Sequence, residues 1–276
     1  MGKGEKMKLI LVFLFSISLS HAFTLNNNFG AKFAKSKVKV LVAGNTICDK
    51  LSLTVYDLKD MIEPAINDYW NEVPTTKLRL TSSGFTSSIT NVNSGILCSP
   101  TDDTCITTAG GNLIPPVDHI VLACNDNNTN FNGTNVLAVT IPNKFKGKSI
   151  KGAIILLNNQ MNSAFGKLSR QEQISVIAHE IGHAIGLGHS ENKAALMYFQ
   201  TVDFRKKLGQ DDVDGVTYLY PIKFDGCGLI GGTITTDKID PQMWQMGIGF
   251  GLFLMILNLM KKILRLLNRS QRRPTL

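Results

Sequence analysis

The run His179-Glu180-Ile181-Gly182-His183-Ala184-Ile185-Gly186-Leu187-Gly188-His189 sets three imidazoles and one carboxylate within eleven residues. On a helix, His179 and His183 lie one turn apart on the same face, so each can aim a ring nitrogen at one metal ion at about 2.0–2.1 Å. His189 cannot join them by continuing that helix, because six more residues at ~1.5 Å rise would carry it ~9 Å away. The chain must reverse. Gly186 stands where the reversal is needed, since glycine takes left-handed backbone angles at little steric cost and commonly ends helices. Glu180, next to the first histidine, is placed to hydrogen-bond an attacking water rather than the metal. Three neutral imidazoles leave one position of a tetrahedral zinc open, as a catalytic site requires and a structural one does not. Two core or capping histidines would account for a bare HExxH. They would not account for the added glycine and third histidine, or for Met197 downstream.

These residues resemble the metzincin clan of metallopeptidases, and within it the matrixins. Residues 178–190, AHEIGHAIGLGHS, are similar to the matrixin zinc helix nearly letter for letter. Ala195-Leu196-Met197-Tyr198 resembles the methionine turn, an apolar floor beneath the metal. Residues 208–216, LGQDDVDGV, with Tyr218-Leu219-Tyr220, resemble the closing helix of that domain. Val136-Leu137-Ala138 is similar to the edge strand against which substrates lie. The resemblance covers residues 38–221. It implies an α+β zincin fold, a twisted mixed β-sheet with a long helix and an active-site helix. It also implies a zinc-dependent endopeptidase with protein or peptide substrates. His179, His183 and His189 would be the zinc ligands, Glu180 the general base, Met197 the floor, Gly186 the turn glycine and Tyr198 a packing residue. A catalytically inactive, metal-binding recognition module on the same fold is the alternative. Retention of Glu180 speaks against it, because binding zinc does not need that carboxylate.

The chain departs from the family pattern in three places. Val139 stands where a ligand of the family's structural zinc would be, so a single, catalytic zinc is expected and a structural zinc is not. Asn158 and Asn159 replace the aspartates that help bind calcium, so calcium is not carried over. Phe199 replaces the proline that follows Met-Tyr, which alters the wall of the specificity pocket.

The formal net charge is +8. Lys261, Lys262, Arg265, Arg269, Arg272 and Arg273, with the net +2 of residues 1–8, account for all of it, so the stretch between is neutral. The charge belongs to the ends and gives no support for a nucleic-acid partner. At the N-terminal end, Lys6 and Lys8 precede an apolar run at 9–19 that closes on Ser20-His21-Ala22, the pattern of a secretory signal peptide of residues 1–22. Residues 243–260 hold 18 uncharged positions, bordered by Trp244 and Lys261-Lys262. They read as a transmembrane helix whose basic tail, 261–276, faces the cytoplasm and anionic lipid. A buried C-terminal helix, a lipid-anchor signal and a processed sorting signal are the other readings of this run. Gly247 and Gly251 form a small-xxx-small pair through which two spans could pair as a homodimer. This organisation predicts an exported, membrane-anchored protein with its catalytic domain in the periplasm or outside the cell.

The cysteines at 48, 98, 105, 124 and 227 all fall in the exported part, where disulfides are permitted, and their odd number leaves at least one thiol over. Cys98 with Cys105 is the first pairing the sequence suggests, and Cys48 with Cys124 the second.

Residues 23–37 form a short N-terminal segment, 38–221 the peptidase-like domain and 222–242 a linker. Within the domain, 38–42 alternates with lysine as an edge or first strand would. Residues 55–70 carry helical periodicity in Leu58, Met61, Ile62, Ala65, Ile66 and Trp70. Residues 78–80, 119–124, 136–141 and 153–157 are short strand-like runs, while 82–117 and 125–135 read as polar loops. Ser169 and Glu172 form a capping box that starts the active-site helix.

Overall fold

The apolar runs assemble into one mixed sheet sandwiched between helices and loops. The computed structural model describes residues 23–26, 30–87, 89, 92–98, 105–107, 119–146, 149–200 and 205–222. In chain order these give β1 (Lys32–Phe33), β2 (Lys37–Ala43), α1 (Val55–Asn67), β3 (Arg79–Thr86), β4 (Ile96–Cys98) and β5 (Cys105–Thr107). There follow β6 (Ile120–Asn125), β7 (Ala138–Lys146), β8 (Ser149–Asn158), α2 (Arg170–Ala184) and α3 (Gln210–Leu219). The main sheet runs β1-β8-β6-β2-β3, and β7 pairs with β8. All of its pairings are parallel except that of β7 with β8, which is antiparallel.

β6 is buried along its whole length and β8 from Gly152 onward. Strands this apolar require cover on both faces. One face, with Val40, Val42, Ile120, Leu122, Ile155 and Leu157, packs on Leu58, Met61 and Ile62 of α1 and on Ile177 and Ile181 of α2. The opposite face, with Ala43, Val121, Ala123, Ile154 and Leu156, is covered by the loop residues Ile89, Val92 and Phe131.

Both long helices begin as their sequences dictate. Thr54 and Asp57 form a reciprocal capping box on α1, and Ser169 and Glu172 do the same on α2. In α1 the buried set Leu58, Met61, Ile62, Ala65 and Ile66 follows the i, i+3, i+4, i+7 spacing of a one-sided apolar stripe. Trp70, just past α1, is fully buried and donates its indole N–H to the Ala178 carbonyl at 2.9 Å, tying the first helix to the active-site helix. Cys48 and Cys124 form a disulfide across 76 residues of sequence, joining the turn before α1 to β6. A cross-link over a loop of that length stabilises a fold by about 2–4 kcal/mol, mainly by restricting the unfolded chain.

The structure differs from the sequence reading in several elements. β2 is an interior strand between β3 and β6, not an edge. The lysine alternation covers only its first residues, and Val40 to Ala43 are buried. The stretch 82–117, read as loop, holds the second half of β3, which continues beside Val42 and Ala43, and the two-stranded antiparallel pair β4–β5. That pair places Cys98 opposite Cys105 in backbone register, and their side chains lie outside the described residues. Residues 23–37 supply β1 and a bridge from Leu25 to Leu187. No described helix is long and apolar enough to cross a membrane. The expected signal peptide at 1–22, the span at 243–260 with Gly247 and Gly251, the basic tail and Cys227 lie outside the described residues.

Candidate metal centre

Helix α2 carries the first two histidines and ends at Ala184. Its last turn closes in the pattern of a left-handed C-terminal cap: Gly186 N–H donates to the His183 carbonyl at 3.1 Å and Leu187 N–H to the Gly182 carbonyl at 3.0 Å. Gly186 has φ +113°, and a Cβ there would stand 2.4 Å from the Ala31 carbonyl oxygen, so the turn requires glycine on two independent grounds. The reversed chain is then held from outside. Leu25 bridges Leu187, Asn26 N–H donates to the Gly186 carbonyl and Gly188 N–H to the Thr24 carbonyl, each at 2.9 Å. The Thr24 hydroxyl donates to the His189 carbonyl.

The result is convergence. One nitrogen from each of His179, His183 and His189 lies within 4.8 Å of the others, the one such cluster among the described residues that could hold a metal ion. His183 Nε2 and His189 Nε2 are 3.1 Å apart. Two donors on one tetrahedral zinc with bonds of about 2.0–2.1 Å stand about 3.3–3.4 Å apart, so this pair is spaced for one zinc, with the His179 nitrogen within 4.8 Å of both. Main-chain carbonyls sit at the other ring nitrogens: His179 Nδ1 is 2.8 Å from the Leu196 oxygen and His183 Nδ1 is 2.9 Å from the Leu187 oxygen. Each Nδ1–H is thereby committed and each Nε2 left as a lone pair. Burial holds both rings neutral, with pKa values of about 4. His189, more exposed, is lowered in the same direction and for the same reason. His119 lies at the head of β6 and is not part of the cluster.

Met197 packs directly against the helix at Gly182. A Cβ on Gly182 would stand 2.3 Å from Met197 Sδ and 2.8 Å from Trp70 Cζ2, so the methionine turn can lie this close only because the helix carries glycine there. Asp212, buried in the first turn of α3, accepts the N–H groups of Leu196 at 2.6 Å, Met197 at 3.0 Å and Gly209 at 2.7 Å. Its carboxyl is nonetheless pushed up, because burial outweighs those three donors. Ser190, directly after the third histidine, bonds Asp211, and its N–H donates to the Met197 carbonyl at 2.7 Å. Tyr198 is buried beneath the Arg205 guanidinium, consistent with a packing role.

Glu180 is 7% exposed and opens onto the same cleft as His179 and His189, with Val136, Leu137 and Ala138 on the facing rim. Burial raises its carboxyl above the usual range, with His183 and the Thr140 hydroxyl pulling in the opposite direction. Thr140, Asp212 and the Thr24–Asn26 contacts were missed in the sequence. Only Asp212 left a trace there, as half of the acidic pair that opens α3.

The histidine shifts have a consequence for stability. His179 and His183 titrate near 4 in the fold and at 6.5 ordinarily, so between these values the unfolded chain binds protons that the folded chain refuses. Stability is full above pH 6.5 and falls as pH drops toward 4. Denaturant unfolding of the metal-free domain should show this decline, and a flat profile across the window would contradict it.

Residues 122–221 match the matrixin family model. Stromelysin-2 of Rattus norvegicus is 49% identical over 49 residues, covering 16% of this chain and 10% of that protein. Stromelysin-1 of Rattus norvegicus is 39% identical over 75 residues, covering 26% of this chain and 16% of that protein. The 72 kDa type IV collagenase of Gallus gallus is 51% identical over 53 residues, covering 18% of this chain and 8% of that protein. The chain thus spans less than a fifth of the length of each of these relatives. Taken with the histidine cluster, these matches support a matrixin-like catalytic domain of the metzincin type over residues 122–221.

Proposed function

We propose that the protein is a zinc-dependent endopeptidase tethered to a membrane, hydrolysing peptide bonds of proteins or peptides outside the cytoplasm. The observation that carries the reading is the convergence of three imidazole nitrogens beside a buried carboxylate, in a cleft rimmed by the chain entering β7. His179, His183 and His189 are assigned as the ligands of one zinc, with Met197 beneath and Gly186 at the turn. Bound there, zinc would polarise a scissile carbonyl and bring the pKa of a water to about 7.

The chain's own groups do the rest. β7 is the outer strand beside β8, and an extended peptide laid along it would present its carbonyl to the cleft. Glu180 takes a proton from the attacking water as the water oxygen bonds to the carbonyl carbon. As the C–N bond breaks, Glu180 returns that proton to the leaving nitrogen, giving a carboxylic acid and an amine, and the acid's proton then passes to the amine to leave a carboxylate and an ammonium. The inactive recognition module is disfavoured because binding zinc leaves Glu180 without a purpose, while the fold buries it at the cost of a raised pKa.

Export and tethering are supported by the sequence of the two ends and by the Cys48–Cys124 disulfide, which fits an oxidising compartment. Residues 1–22 are assigned as signal peptide, 38–221 as the peptidase domain, 222–242 as linker and 243–260 as the span, paired across two copies through Gly247 and Gly251. Residues 261–276 form a cytoplasmic tail on anionic lipid. With Val139 and Asn158-Asn159 in place of ligands, neither structural zinc nor calcium is assigned.

The Glu180→Gln protein should hold one zinc per chain by metal analysis and lose peptide hydrolysis by about 10²–10⁴-fold or more. Normal turnover by the zinc-loaded variant, or a second tightly bound zinc, would overturn the assignment. For the tether, full-length protein should resist carbonate extraction, and a chain ending at Asp240 should be released in soluble, active form. A full-length chain that is simply soluble removes the membrane claim.

A further inference from the structure

Thr140 lies at the middle of β7, in antiparallel register with Ile155 of β8. It lines a recess of the cleft together with Glu180, His183 and His189. Its hydroxyl is 2.6 Å from Glu180 Oε2 and 3.0 Å from the main-chain carbonyl of the same residue. A hydroxyl has one proton to give, and the shorter contact, to the side-chain carboxyl oxygen, is the stronger claim on it. The pairing of β7 with β8 fixes the threonine backbone, and its β-branch fixes the side-chain angle, so the donor is in place before any substrate arrives.

We infer that Thr140 is a positioning residue for the reaction: by holding Oε2 of Glu180, it reserves Oε1 as the oxygen that takes and returns the proton. This rests on the peptidase reading above. An unheld carboxylate can turn about its last bond and present either oxygen, or neither, to the water. Held at Oε2, the group has one orientation. When the water O–H bond breaks, the proton goes to Oε1, because Oε2 is already accepting from threonine. When the peptide C–N bond breaks, the Oε1–H bond breaks with it and the proton passes to the leaving nitrogen. Thr140 keeps its own proton throughout, and no other reactant is needed.

The test is Thr140→Val, which keeps the shape and removes the hydroxyl, beside Thr140→Ser, which keeps the hydroxyl. In the zinc-loaded protein, Thr140→Val should lower kcat on a quenched-fluorescent peptide by about 10–100-fold, the range set by a hydrogen bond to a charged group. KM, zinc affinity by chelator competition and thermal stability should stay close to wild type, and Thr140→Ser should recover most of kcat. Unchanged kcat in Thr140→Val overturns the proposal, as does a loss accompanied by weaker zinc binding or not recovered by serine. A readout independent of turnover is the infrared carboxylate band of Glu180, isolated as the difference between wild type and Glu180→Gln. It should shift in Thr140→Val and not in Thr140→Ser. Wild-type protein that binds zinc and cleaves nothing would sink the peptidase reading, and the infrared band then decides by itself whether Thr140 holds Glu180.

Discussion

The site depends on one backbone event, the reversal at Gly186. His179 and His183 share a helix face by the period of the helix alone, but a third imidazole reaches them only if the chain turns back within a few residues. The left-handed angle at Gly186 and its close approach to the Ala31 carbonyl make that turn available to glycine and to little else. The contacts of Thr24, Leu25 and Asn26 then set where the returned strand lies, so the position of His189 is determined by residues far away in sequence.

A second constraint works from below. Gly182 removes the side chain that would collide with Met197 and Trp70, letting the methionine turn pack directly under the helix. Asp212 gathers three backbone N–H groups of the turn and of its own helix start, and so fixes the turn that carries the Leu196 carbonyl. That carbonyl is the partner of His179 Nδ1. The chain of contacts runs from α3 through the turn to the ring, and each link commits a proton or an angle that metal binding then does not have to order.

Much of this was legible in the sequence, and the reason is locality. The helix period, the glycine at the turn, the capping boxes at Thr54 and Ser169 and the buried stripe of α1 are all decided within a few residues. What was not legible depends on partners distant in the chain. The alternating lysines at the start of β2 suit an edge or first strand, while its interior place between β3 and β6 is fixed only by tertiary packing. The polar second half of β3 has the composition of a loop, and its partner, not its composition, makes it a strand. Thr140 carried no signal at all: a threonine in a strand is ordinary, and its meaning lies in the Glu180 carboxylate that the fold brings to it.

In the proposed site, three imidazoles and no other side chain hold a zinc whose remaining position is open. X-ray absorption at the zinc edge of the purified protein reads this directly. The spectrum should show three imidazole nitrogens at about 2.0–2.1 Å with one further light-atom ligand, and should lose one imidazole in His189→Ala. A sulfur ligand near 2.3 Å, a fourth protein nitrogen closing the shell, or an unchanged spectrum in His189→Ala would contradict it.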